Sequence, residues 1–219
     1  MRKVLYVPLD DRDCNYQFPW LLSQMTEGLE LLRPPYEWMG FLKKPANREK
    51  IWEWLFEQAG ECDYAILSVD TLVYGNIIGS RIHTYSMEEC RETMDRFRQL
   101  KKQNPQLHIH AFNLAARVAA YNDNHEDPEY WQEYGYDIWL WDKKKRAEIS
   151  EKEAEELESL QKKIPEEIMQ DFLERRKTDR FVNLTSVELV RENVFDILTV
   201  PKDDTAEFGY AALDQMAIM

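Results

Sequence analysis

The 219-residue chain has no apolar run long enough to cross a membrane. Its opening apolar run, Val4 to Leu9, is broken by Pro8 and is too short for a secretion-signal core. Cysteine is scarce: Cys14, Cys62 and Cys90 are odd in number and lack metal-type spacing, which predicts reduced thiols in a cytoplasmic protein. There are seven glycines but no glycine-rich phosphate loop, and the four histidines show no His-x-x-x-His spacing. His108 and His110 alternate on a strand-like run and should share one of its faces, where a surface role suits them better than a ligand role. Positive charge is the largest deficit. Lys and Arg number 28 against 41 Asp and Glu, a formal net charge of -13. Such a chain is a poor match for nucleic-acid phosphates or an anionic membrane. A neutral or cationic small molecule, or a metal held by carboxylates, is the compatible ligand class.

What is present suffices for a core: 44% of residues are hydrophobic and 12% aromatic. Short runs rich in Val, Ile, Leu and Tyr read as strands over 3–9, 29–32, 63–69, 107–112 and 194–200. Between them, Phe18 to Met25 is an apolar segment, Asn47 caps a helix over 48–59, and Ser86-Met87-Glu88-Glu89 opens another that reaches 103. Alternating strands and helices predict an α/β fold, a parallel sheet with helices on both faces in three layers, Rossmann-like; a partial barrel is the alternative. Asp127-Pro128 begins an aromatic-rich and then highly charged stretch. The sequence therefore divides into 1–126, the first part of the sheet domain; 127–180, a helical insertion whose charge run is a solvated face; and 181–219, a return to the sheet domain. A separate helix is expected over 185–192.

The dipeptide Asp-Asp occurs twice in one setting, as Val7-Pro8-Leu9-Asp10-Asp11 and as Val200-Pro201-Lys202-Asp203-Asp204. Proline is tolerated where a strand leaves its ladder, so each pair should lie just past a strand, on the edge where parallel sheets bind ligands. Asp70 and Asn113 end two further strands. Around the first pair, Arg12 and Asn15 add a guanidinium and an amide; a surface turn with local Asx hydrogen bonds is the competing reading. Gly75 and Gly79 suggest tight backbone after Asp70, beside Tyr74 and Arg81. Arg117 follows Asn113 by four residues and could share a helix face with it. Lys202, Glu207 and Tyr210 surround the second pair, where Asp204-Thr205-Ala206-Glu207 also reads as a helix N-terminus.

Together, Val7-Pro8-Leu9-Asp10-Asp11-Arg12 with Asn15, Asp70 to Gly75 with Ser80-Arg81, Asn113 with Arg117, and Pro201 to Tyr210 resemble a bacterial family known as domain of unknown function 4127. The resemblance covers the whole chain and brings no activity with it. It implies a longer protein of which this chain is an N-terminal portion. Asp13 stands where that family often has Pro, and Asn76 where it often has Gly, which implies two looser loops.

Function is argued from the residues. The first reading is a hydrolase, glycosidase-like, acting on a neutral carbohydrate-like substrate. Asp10, Asp11, Asp70, Asp203 and Asp204 supply acid, base or nucleophile, and Arg12, Asn15, Tyr74, Arg81, Asn113, Arg117, Lys202, Glu207 and Tyr210 contact the substrate. One alternative is an enzyme in which the same acids hold Mg²⁺ or Mn²⁺. The other is a non-catalytic ligand-binding or interaction module. The apolar pattern from Phe208 onward predicts a homodimer.

Overall fold

The structure, a computed structural model, describes residues 1–146, 150–203 and 208–218. Five strands form one sheet: β1 (Arg2–Val7), β2 (Leu29–Leu32), β3 (Tyr64–Ser68), β4 (His108–Phe112) and β5 (Ile197–Thr199). All neighbours pair in parallel in the order β2-β1-β3-β4-β5. The chain steps outward from β1 to β2, then crosses back over β1 to β3 and continues in that direction. The order therefore reverses between β1 and β3, the switch point at which such sheets open a crevice.

Right-handed crossovers place α1 (Asp13–Gln24) on one face, and α2 (Arg48–Gln58), α5 (Met87–Gln103) and α8 (Glu166–Arg191) on the other. Side chains alternate to match. Leu5, Val7, Ala65, Leu67, Ile109 and Ala111 enter the main core with Trp52, Phe97 and Phe195. Their neighbours Val4, Tyr64, Ile66, His108 and His110 line a groove of about 470 Å³ on the α1 side, and the His108 ring stacks on Tyr64 there. A three-layer α/β fold results, thinner on that side.

Pro19 sits inside α1, where it cannot donate to the carbonyl of Asn15. The Tyr6 hydroxyl donates to that carbonyl instead, at 2.6 Å, and fastens α1 to β1. Helix α1 starts at Asp13, earlier than the apolar pattern implies. The first helical position suits an acid as well as a proline, so Asp13 does not loosen the loop.

The charged stretch behaves in two ways. Helix α7 (Glu151–Lys163) has no buried residue, as a solvated face should. Arg175, Arg176 and Asp179, by contrast, are buried in α8. No separate helix begins near 185, because α8 is continuous for 26 residues. It ends where Asn193 adopts a φ of 58° and the amides of Val194 and Phe195 return to Leu189. That turn consumes 194–195 and shortens the last strand. A second apolar cluster joins α6 (Trp131–Arg146) and α8 through Trp131, Ile138, Trp141 and Phe172. Among the described residues, no helix is long and apolar enough to cross a membrane.

Candidate active site at the ends of the parallel strands

Parallel strands end on the same side, so Asp10, Asp70, Asn113 and Asp203 stand past the C-terminal ends of β1, β3, β4 and β5 at one edge of the sheet. The loop after β1 is shaped by Asp10, which is buried. Its Oδ1 accepts from the Arg12 amide at 3.1 Å and from Asn15 Nδ2 at 2.7 Å, and its Oδ2 accepts from Arg12 Nε at 2.8 Å and Nη2 at 2.5 Å. Four donors occupy both oxygens. Asp10 thus orients Arg12 and Asn15, and the Asp10 interaction raises the Arg12 pKa further.

The β3 loop meets this one directly. Ser68 caps the short helix α3 (Val69–Tyr74) by accepting from the Thr71 amide, and the Thr71 hydroxyl is shared between the carbonyls of Pro8 and Leu9 at 2.7 and 2.8 Å. Helix α3 ends on Gly75, at a φ of 99°, where a Cβ would collide with Pro45. Asn76 Nδ2 donates to the carbonyls of Leu42 and Lys44, and its Oδ1 accepts from the Gly79 amide at 2.6 Å. The residue that implied a looser loop closes its own turn and ties it to the 42–44 loop. Leu42 is held at a φ of 49°, which β-carbon crowding makes uncommon.

Asp11, Arg12, Phe41, Leu42, Ile78 and Glu126 line a cleft of about 70 Å³ between these loops. Asp11 touches the Tyr36 hydroxyl at 3.4 Å, and Phe41 is 64% exposed. Next to the cleft, Arg81 in α4 (Gly79–Ile82) holds the lining residue Glu126 from Nη1 at 2.8 Å and donates from Nη2 to Asp203 at 2.9 Å. The cleft's guanidinium, Arg12, is thereby neutralised by Asp10, and Arg81, beside the cleft, by Glu126 and Asp203.

Asp70 takes a different place. It is fully buried below the cleft, where Oδ2 accepts from the Leu114 amide at 3.0 Å and Oδ1 from Asn113 Nδ2 at 3.3 Å. Burial pushes its pKa up to about 7; the two hydrogen bonds oppose the rise, and the charge of Asp179 adds to it. Asn113 Oδ1 in turn accepts from Asn183 at 2.6 Å and Ser186 at 3.3 Å. The same interior holds His83. The Tyr85 amide donates to its Nδ1, so Nε2 carries the proton that meets Asp179 at 3.1 Å. Tyr74 stacks on this ring; burial drives its pKa well up, the Asp179 charge adds to the rise, and its hydroxyl has no hydrogen bond of normal geometry.

Several residues read as catalytic groups or substrate contacts thus lie elsewhere. Tyr74, Asn113 and Asp70 form the buried network beneath the cleft. Arg117 binds the Tyr121 hydroxyl at 2.5 Å and Asp127 at 3.4 Å. Lys202 forms an isolated parallel bridge with Ala115. The Tyr210 amide donates to Asp142, and its ring packs on Phe172 in the second cluster, at the start of α9 (Tyr210–Ile218). Asp204 and Glu207 lie outside the described residues. Phe41, Tyr36 and Glu126 were not legible as site residues, because no local pattern marks a side chain that reaches a strand end from a distant loop. Among the described residues, no three of His, Cys, Asp and Glu gather as they would around an ion.

The family model for "Protein of unknown function (DUF4127)" matches residues 4–219, and the chain belongs to that family. No curated protein matches the chain. No solved structure matches it either.

Proposed function

We propose that this family member is a hydrolase that acts on a neutral, carbohydrate-like substrate in the cleft between the β1 and β3 loops. The observation that carries the reading is the meeting of Asp11 and Glu126 in one cleft, beside an exposed aromatic ring. Two carboxylates facing one bond are the minimum for glycoside chemistry, one as proton donor and one as base or nucleophile. Phe41 offers a flat apolar surface for the face of a sugar ring. Arg12, oriented by Asp10, offers donors to hydroxyl groups.

Charge pairing selects a neutral ligand: neither Arg12 nor Arg81 is left uncompensated to attract an anion. Size limits what enters. At about 70 Å³ the cleft is small, so it takes a hydroxymethyl group or a diol while the rest of the ring lies against Phe41. Asp70 serves underneath by joining the β3 and β4 ends.

The test is turnover of a panel of neutral aryl glycosides and oligosaccharides, followed by release of the aryl group or reducing ends. Asp11→Asn and Glu126→Gln should each lower the rate by about 10²-fold or more, the usual range for a positioned acid or base, with the fold retained. A panel that is untouched by the protein, or one hydrolysed equally by both variants, would overturn the reading.

A further inference from the structure

Helix α1 has an apolar side that its own sheet does not use. Tyr16, Pro19, Trp20 and Ser23 form its more buried side, which lies on β1 and β2. Phe18, Leu21 and Leu22, with Met25 just past the end of the helix, fall on the opposite side at helical spacing, and all four are exposed. A helix that is apolar on both sides belongs between two layers. The sheet offers the second layer. Tyr6, Ile66 and His110 are in register and Tyr6 reaches α1, so the groove and the helix share one face of the sheet. Among the described residues no helix covers β3, β4 and β5 on that face, where Tyr64, His108 and Ile197 are exposed. Parallel sheets are covered on both faces.

We propose that a second copy of this chain covers that half of the sheet, each copy laying the exposed side of its α1 in the other's groove. Lengths agree. The 12 residues of α1 span about 18 Å, and the 5 residues of β3 or β4 about 17 Å. A two-fold axis parallel to the strands carries α1, over β1 and β2 of one copy, above β3 to β5 of the other, so the two helices fill one layer about 10 Å thick between the sheets. An axis across the strands would drive the two helices into each other. Charge agrees as well. Each copy carries a net charge of -13, so a self-contact needs a surface poor in acids, and residues 14–26 hold no charged side chain. The groove's one carboxylate, Asp196, is held by Lys101 and His108. Because α1 runs antiparallel to the strands, the same axis brings Glu27, just beyond the helix, to the strand starts of the other copy, where Arg2 lies over Tyr64 and His108 stacks on it. An acid then faces a guanidinium and an imidazole. The strands of both copies point the same way, so the two clefts open at one end of the dimer, whatever each cleft binds.

Sedimentation equilibrium of the full chain over a wide concentration range tests the contact. A reversible dimer is expected. Leu22 and Ile197 are 65% and 55% exposed in one copy, so Leu22→Glu and Ile197→Glu should leave the circular dichroism unchanged. Each should raise the dimer dissociation constant by at least about tenfold, because the new charge is buried twice in a two-fold contact. His108→Glu serves as a second groove variant, with the same expected shift, if Ile197→Glu loosens the short β5. A monomer at every concentration would overturn the proposal. Sensitivity to Leu22→Glu but to neither groove variant would also overturn it, by pairing α1 with α1. Co-sedimentation of a monomer with phosphatidylcholine vesicles would overturn it by assigning the exposed side of α1 to a lipid surface.

Discussion

Arg81 donates from Nη2 to Asp203 at 2.9 Å, closing 122 residues of chain behind the cleft wall that Glu126 supplies. The guanidinium side chain is 6% exposed and its second partner is Glu126. Removing it strands two carboxylates, one of them largely buried. Arg81→Met is expected to destabilise the protein by about 3–5 kcal/mol, the usual cost of breaking a buried pair, and Arg81→Lys by less. Urea unfolding measures both; a loss under about 1 kcal/mol for Arg81→Met would show that the wall does not depend on this pairing.

Asp70 gives the fold a pH dependence of definite sign. Its folded pKa of about 7 lies above the ordinary carboxyl value of 3.8. Between those values the native state holds a proton that the unfolded chain has released, so raising the pH lowers stability by up to about 1.4 kcal/mol per unit, and the loss is complete above the folded pKa. The slope of unfolding free energy against pH from 4 to 7 should therefore flatten in Asp70→Asn relative to the parent. Parallel profiles would rule out the raised pKa.

Asn76 decides the order of the loop that carries Phe41. Its side chain accepts one hydrogen bond and donates to two carbonyls, so Asn76→Ala should cost about 1–3 kcal/mol and open residues 41–44 to limited proteolysis. Unchanged proteolysis would place the loop's order in Gly75 and Pro45 instead.

The sheet was legible because β1 and β3 are apolar runs and β1 is buried on both faces from Val4 to Val7, whereas β4 alternates, with His108 and His110 toward the open groove. The last strand was overdrawn, since Val194 and Phe195 are as apolar as a strand yet close the end of α8. The buried charges of α8 were invisible for a related reason. Arg175, Arg176 and Asp179 look solvated until Asp171, Tyr130, Asp214 and His83 are brought to them by the fold. At the site, the strand-end rule placed Asp10, Asp70 and Asp203 on one edge, but it could not separate Asp10, whose oxygens are filled by its own loop, from Asp11, which faces the cleft. Glu126 carries no local signal and is recognised through Arg81 and Arg117.

The most direct test of the cleft is a ¹⁵N amide shift map recorded while neutral saccharides are titrated into the protein. The account predicts saturable shifts at residues 9–13, 41–43 and 126, weakened at least tenfold in affinity by Asp11→Asn. Shifts confined to the groove of Tyr64 and His108, or no shifts with any neutral saccharide, would contradict it.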